Sequence, residues 1–277
     1  MRGSHLTTSQ LLLVLALLGQ VLLQETCSHD QTDCGAETQN NFKAAVKTVL
    51  VTGGSGFVAH HVIETILDST DWNVVSLDRL DLSGRINRLE QVLAGREKDR
   101  RRVRVIYADL RAEINGQLAK DIGPVQVILH LAAGANVDKS IERPLEFVMD
   151  NTVATVNMME FARKQHPDLD RFIYLSTAEV FGPAPQGVTH TEYDRYNSGN
   201  PYAAAKAAAE EFAVAYENTY KMPIVVVHTM NVFGERQLPS KFIPKVLNSV
   251  LEGKEVCSKT IDILCIFLQM FLGDHPR

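Results

Sequence analysis

The segment TGGSGFVA, residues 52–59, constrains the fold more than any other stretch of the chain. A short Val- and Leu-rich run, residues 48–52, leads into it, and an amphipathic helical pattern follows it. In that setting Gly53 permits a tight turn, Gly56 lets the backbone approach a ligand, and Ala59 lets the helix pack closely on the strand. The helix start then offers unpaired N–H groups and the positive end of the helix dipole, an anion site suited to a pyrophosphate. Ser55, Phe57 and Val58 surround that site. The strand-turn-helix setting carries this reading; glycine spacing alone would be weak.

Downstream, apolar runs alternate with helical patterns, as in repeated βαβ units around a parallel sheet. Strands are expected at 48–52, 73–77, 104–108, 125–131, 172–176 and 224–228, and helices at 57–68, 111–120, 144–164, 201–220 and 241–252. The expected fold is α/β, a Rossmann-like doubly wound parallel sheet with a truncated C-terminal substrate lobe. Residues 42–234 would form the dinucleotide-binding domain. Residues 1–41 would be a signal-like extension, and residues 235–277 a partial lobe with an atypical tail. The basic run REKDRRRVR reads as a solvated helix end before a strand.

Asp78 ends the second strand about twenty residues beyond the glycine turn, where a carboxylate accepts both hydroxyls of an adenosine ribose and repels a 2′-phosphate. That favours NAD over NADP, although the neighbouring Arg79 pulls the other way. Asp109, after the third strand, can accept from the adenine amino group. Leu110, Leu131 and Ala133 follow strand ends on the same side and complete the expected cofactor contacts.

With a net charge of −5, the chain offers no basic face for nucleic acid. Its four cysteines, at positions 27, 34, 257 and 265, lie outside residues 42–256 and show no zinc-ligand spacing, so no metal site is expected. Residues 11–23 resemble a signal-peptide core and are short for a membrane span. The secretory pathway is the expectation, with the cytoplasm as the alternative. The apolar run 261–272 reads as the truncated or altered end of a longer product.

Tyr202 and Lys206 stand four apart on a predicted helix and so share a face. An ammonium there would lower the tyrosine pKa and supply a base for alcohol oxidation. His130 and His228, on strands, read as core residues.

With this pair, the motifs LDRLDLSGRINRL, HLAAGANVDKSI, LSTAEVFG, NPYAAAK and MNVFGERQLPSKFIPKVL follow the glycine turn in order. Over residues 47–256 the chain resembles the extended short-chain dehydrogenases. Within them it is similar to the NAD-dependent epimerase/dehydratase family, and most to sugar-nucleotide 4,6-dehydratases of the dTDP-glucose type. The resemblance implies NAD as cofactor, a nucleotide-sugar substrate and a homodimer through the helices at 144–164 and 201–220. Tyr202 would take the C4 hydroxyl proton, Thr177 would hold that hydroxyl, and Glu179 would remove the C5 proton before water leaves. Asn231 would contact the substrate, while Arg236 and Lys241 would meet its diphosphate.

The departure from the pattern is Ala178, where these dehydratases carry an acid that helps protonate the departing C6 hydroxyl. Ala135 and Asn136 also replace residues commonly seen as serine and histidine. An epimerase, a UDP-glucuronate decarboxylase and an inactive NAD-binding protein therefore stand as alternatives.

Overall fold

The computed structural model describes residues 46–81, 83–185 and 187–254. Both terminal expectations, the signal-like run 11–23 and the apolar run 261–272, lie outside them. The described residues fall into two compact units, 46–230 and 231–254.

The larger unit is built on six parallel strands: β1 (Thr48–Thr52), β2 (Asn73–Asp78), β3 (Val103–Tyr107), β4 (Val127–His130), β5 (Arg171–Thr177) and β6 (Ile224–Thr229). Their order is β3-β2-β1-β4-β5-β6. The order reverses between β1 and β4, and in such sheets the carboxyl ends of the strands at that switch point form the ligand crevice. Pairings such as Thr52 with Leu77 and with His130 align those strand ends. All six strands form within a few residues of their expected positions, because each is a short run rich in apolar, largely β-branched residues bounded by polar turns.

The helices are α1 (Phe57–Ser69), α2 (Ile86–Leu93), α3 (Glu97–Arg100), α4 (Gly116–Ile122), α5 (Val137–Glu142), α6 (Pro144–Phe147), α7 (Ala154–Gln165) and α8 (Pro201–Tyr220). One core cluster joins Leu50, Val75, Ile128 and Phe172 of the sheet to Met158 and Phe161 of α7 and Ala209 and Ala213 of α8. The alanines of α8 allow that close approach.

Three helical expectations need correction. The helix foreseen at 111–120 begins only at Gly116, because Asn115 caps it through bonds from the Gln117 and Leu118 amides and Arg111 is turned onto Asp109. The helix foreseen at 144–164 is interrupted by a π-helical segment, Val148–Val153. The basic run is less solvated than expected, since Arg102 donates to the backbone carbonyls of Leu67, Thr70 and Trp72. Helices α2 and α5 were not foreseen.

In the smaller unit, α9 (Phe242–Leu251) follows Lys241 as its N-cap, and Gly253 adopts φ +65° just beyond its end. Among the described residues, no helix is long and apolar enough to cross a membrane.

Candidate active site

A cleft opens at the carboxyl ends of β1, β2 and β3. Gly53 and Gly56 form its floor, and Leu131, Ala132 and Ala133 form one wall. The turn is tight: the Gly53 amide donates to Leu77 O at 2.7 Å, and the Gly56 amide donates to Gly53 O at 2.7 Å. Gly53 has φ +67°, and a Cβ there would lie 2.8 Å from the Ala132 Cα. Gly56 is the N-cap of α1 and has no side chain to cap the first-turn amides. This is a cradle for an anion at a helix start, and it would be filled by larger residues.

Asp78 stands at the end of β2, 7% exposed. Its Oδ2 accepts from the Ser55 amide at 3.0 Å and its Oδ1 from the Leu80 amide at 2.7 Å. These bonds fix the carboxylate while leaving lone pairs for a further donor. Gly84 closes over it, and a Cβ there would meet Asp78 Oδ1 at 2.5 Å. Asp109 and Leu110 also line the cleft, Asp109 being held by Arg111.

Ser55, Phe57 and Val58 do not line this cleft. Ser55 is fully buried and acts through its backbone, while Phe57 and Val58 are half-buried in the first turn of α1. Asp81, Ser83, Gly84 and Asp150 do line it and were not singled out from sequence. The first three lie in a motif whose loop geometry cannot be read residue by residue, and Asp150 lies in a helical stretch that gave no site signal. Taken together, the glycine cradle, helix start and fixed carboxylate suit a dinucleotide.

The second cluster forms where β5 ends against the start of α8. Thr177 caps the short turn Ala178–Phe181, its hydroxyl accepting from the Glu179 amide. Tyr202 lies beside the Thr177 side chain and packs edge-on against Phe147. Asn200 joins the pieces: its Oδ1 accepts from the Ala203 amide at 2.8 Å, capping α8, and its Nδ2 donates to Glu179 Oε2 at 3.2 Å. Asn200 was not recognised as a site residue, although an asparagine before Pro201 is a helix-cap signal.

The charge states differ from those the spacing suggested. Burial, and secondarily the Glu179 carboxylate, push the Tyr202 pKa up to about 12. Lys206 is 2% exposed, and burial brings its pKa down to about 7. Its Nζ donates to Leu175 O at 2.6 Å and sits 4.2 Å from the centre of the Tyr174 ring. The lysine is thus anchored to strand β5 through its Nζ.

One turn along α8 from Lys206, the buried Glu210 accepts from Ser176 Oγ and, at 2.8 Å, from the Tyr196 hydroxyl. His130 bridges Thr52 and Thr155 in the core, and burial lowers its pKa to about 3. His228 is not purely a core residue: it pairs with Glu210 and its side chain is 23% exposed. Asn231, Arg236 and Lys241 belong to the smaller unit, Arg236 with φ +65°. Among the described residues, no group of three His, Cys, Asp or Glu is placed to hold a metal ion.

The family model described as the NAD dependent epimerase/dehydratase family matches residues 49–263. The chain belongs to this family. Among curated relatives, the dTDP-D-glucose 4,6-dehydratase of Mus musculus is 35% identical over 215 residues, covering 76% of this chain and 58% of the relative. The dTDP-glucose 4,6-dehydratase of Neisseria gonorrhoeae is 35% identical over 242 residues, 83% of this chain and 67% of the relative. A solved structure of DesIV, a dTDP-glucose 4,6-dehydratase from Streptomyces venezuelae with NAD and TYD bound, matches with TM-score 0.67 and 32% identity over 74% of this chain and 62% of that one. Epimerases of the family match too: UDP-glucose 4-epimerase of Thermus thermophilus, in complex with NAD, gives TM-score 0.63 and 28% identity over 76% of this chain and 64% of that one. The chain thus spans about 58% of the length of the mouse relative.

Proposed function

We propose that this chain carries the cofactor site and the reacting centre of an NAD-dependent sugar-nucleotide 4,6-dehydratase. The observation that carries the proposal is that Thr177 and Glu179 at the end of β5 meet the start of α8, which bears Tyr202, with Asn200 bonding Glu179 and capping that helix, in the same sheet whose strand ends form the dinucleotide cleft. Gly53, Gly56 and Asp78 would hold NAD, which accepts a hydride from the sugar and later returns one.

Tyr202 takes the proton of the C4 hydroxyl while Thr177 holds the same oxygen. Burial and the Glu179 carboxylate favour the protonated phenol, so Tyr202 first gives its own proton to solvent and then takes the hydroxyl proton as the phenolate. Once C4 is a carbonyl, Glu179 removes the acidified C5 proton. Ala178 has no proton to give, so Glu179, protonated in that step, passes its proton to the C6 hydroxyl as water leaves.

An epimerase reading has support from the structural neighbours, but a simple 4-epimerase needs no C5 base, the role proposed for Glu179. Ala178 favours the inactive NAD-binding reading. The purified chain, incubated with NAD and dTDP-, UDP- and GDP-hexoses, separates these possibilities by product mass. Loss of one water supports the dehydratase. Unchanged mass with inverted C4 supports an epimerase, and loss of carbon dioxide a decarboxylase. NAD binding with no turnover overturns all three.

Two coarser readings accompany this one. The chain pairs with a second copy through the helical stretches at 144–164 and 201–220, where Leu145, Met149 and Phe212 are exposed; light scattering tests it. The 11–23 run directs the chain to the secretory pathway, which N-terminal sequencing of the expressed protein tests.

A further inference from the structure

Arg79 follows Asp78 directly, at the position from which a guanidinium would meet a ribose 2′-phosphate. In the structure it is already engaged. Its Nη1 and Nη2 donate to the two oxygens of Asp150 at 2.5 and 2.8 Å, and its Nε and Nη2 donate to Asp81 Oδ2 at 3.0 and 2.7 Å. Those four bonds occupy four of the five N–H groups of the guanidinium. The Asp150 hydrogen bond is the largest influence holding Arg79 firmly protonated.

Asp150 reaches this position through an irregularity of the backbone. It lies in the π segment Val148–Val153, which recurs at functional sites because it re-aims side chains. The next residue, Asn151, anchors that segment. It donates to Gly134 O at 3.1 Å and accepts from the Gly134 amide at 2.7 Å. Asp150 is 7% exposed, lines the cleft, and also lies 3.9 Å from Arg111 Nε, while Arg111 is bound to Asp109. Both arginines near the adenosine end are therefore neutralised by carboxylates.

Resting on the dinucleotide reading above, we propose that Asp150 is a specificity-determining residue: by holding Arg79 away from the ribose it makes the cleft select NAD over NADP. Asp78 repels the phosphate, and Asp150 withholds the cation that would otherwise reward it. The sequence left Asp78 and Arg79 in opposition; the geometry assigns Arg79 to the protein rather than the ligand.

The test is calorimetric binding of NAD⁺ and NADP⁺ to the whole chain, with no turnover required. Asp150→Asn should tighten NADP⁺ about tenfold or more relative to NAD⁺, the worth of one charge-assisted contact. Arg79→Ala added to Asp150→Asn should abolish that gain. Asp81→Asn, at a more exposed position (side chain 38% exposed), frees the guanidinium in part and should give a smaller gain in the same direction, which covers the case of an Asp150 variant that does not fold. An unchanged NADP⁺ to NAD⁺ ratio in both Asp150→Asn and Asp81→Asn, or a gain that survives Arg79→Ala, overturns the assignment while leaving the cofactor reading intact. A wild-type chain that binds neither dinucleotide overturns both.

Discussion

His228 of β6 closes a 2.8 Å contact on the buried Glu210 of α8, so that the outermost strand and the helix bearing Tyr202 and Lys206 share one charge cluster. Glu210→Ala should cost about 3–5 kcal/mol, the range for removing one partner of a buried network, because Ser176, Tyr196 and His228 each lose their acceptor. Glu210→Gln should cost less, since the amide oxygen still accepts. Urea unfolding of the three proteins checks the order.

Lys206 gives a pH dependence with a definite sign. Its folded pKa, about 7, lies below the ordinary value of 10.5. Between those values the unfolded chain binds the proton and the folded chain does not, so stability rises with pH across that window. The penalty is fully present below about pH 7 and disappears above about pH 10.5. Lys206→Met should flatten the rise, at most about 1.4 kcal/mol per pH unit. Denaturant midpoints at several alkaline pH values report it.

Tyr202→Phe should lower turnover by about 10²- to 10⁴-fold, as loss of a positioned acid–base group does. Glu179→Gln should retain C4 oxidation and lose elimination. Full dehydration by Glu179→Gln, followed by product mass, would sink the dehydratase reading.

Ala178→Asp restores a proton donor between Thr177 and Glu179. If departure of the C6 hydroxyl limits turnover, the variant should be faster by about 10-fold or more. A variant no faster than the parent in steady-state assays would show that Glu179 already serves as donor.

Gly53→Ala places a Cβ on a backbone with φ +67°, 2.8 Å from the Ala132 Cα. The strain should cost about 1–3 kcal/mol, and NAD binding should weaken with it. Parallel thermal melts and NAD titrations separate the two effects.

The sheet was legible because its inner strands β1, β2, β4 and β5 are largely buried and appear as apolar runs, and even the more exposed edge strands β3 and β6 are Val- and Ile-rich. The glycine turn, Asp78 and the Tyr202–Lys206 pair were legible because each role demands a residue type at a fixed spacing. Asp150 and Asn200 were not. The first depends on a register change within a helical stretch, and the second on a loop returning Glu179 to the start of α8; neither leaves a periodicity. Lys206 was legible as a position, whereas its lowered pKa was not, since the depth of its burial is a property of the packed fold.

Asn200 has a mechanical consequence. By capping α8 with one side-chain atom and holding Glu179 with the other, it gives the tyrosine-bearing helix and the carboxylate a shared pivot. The two groups are tied to one side chain, so the placement of the carboxylate follows that of the helix start. A residue that touches no reacting atom thereby sets the tolerance to which this centre is assembled.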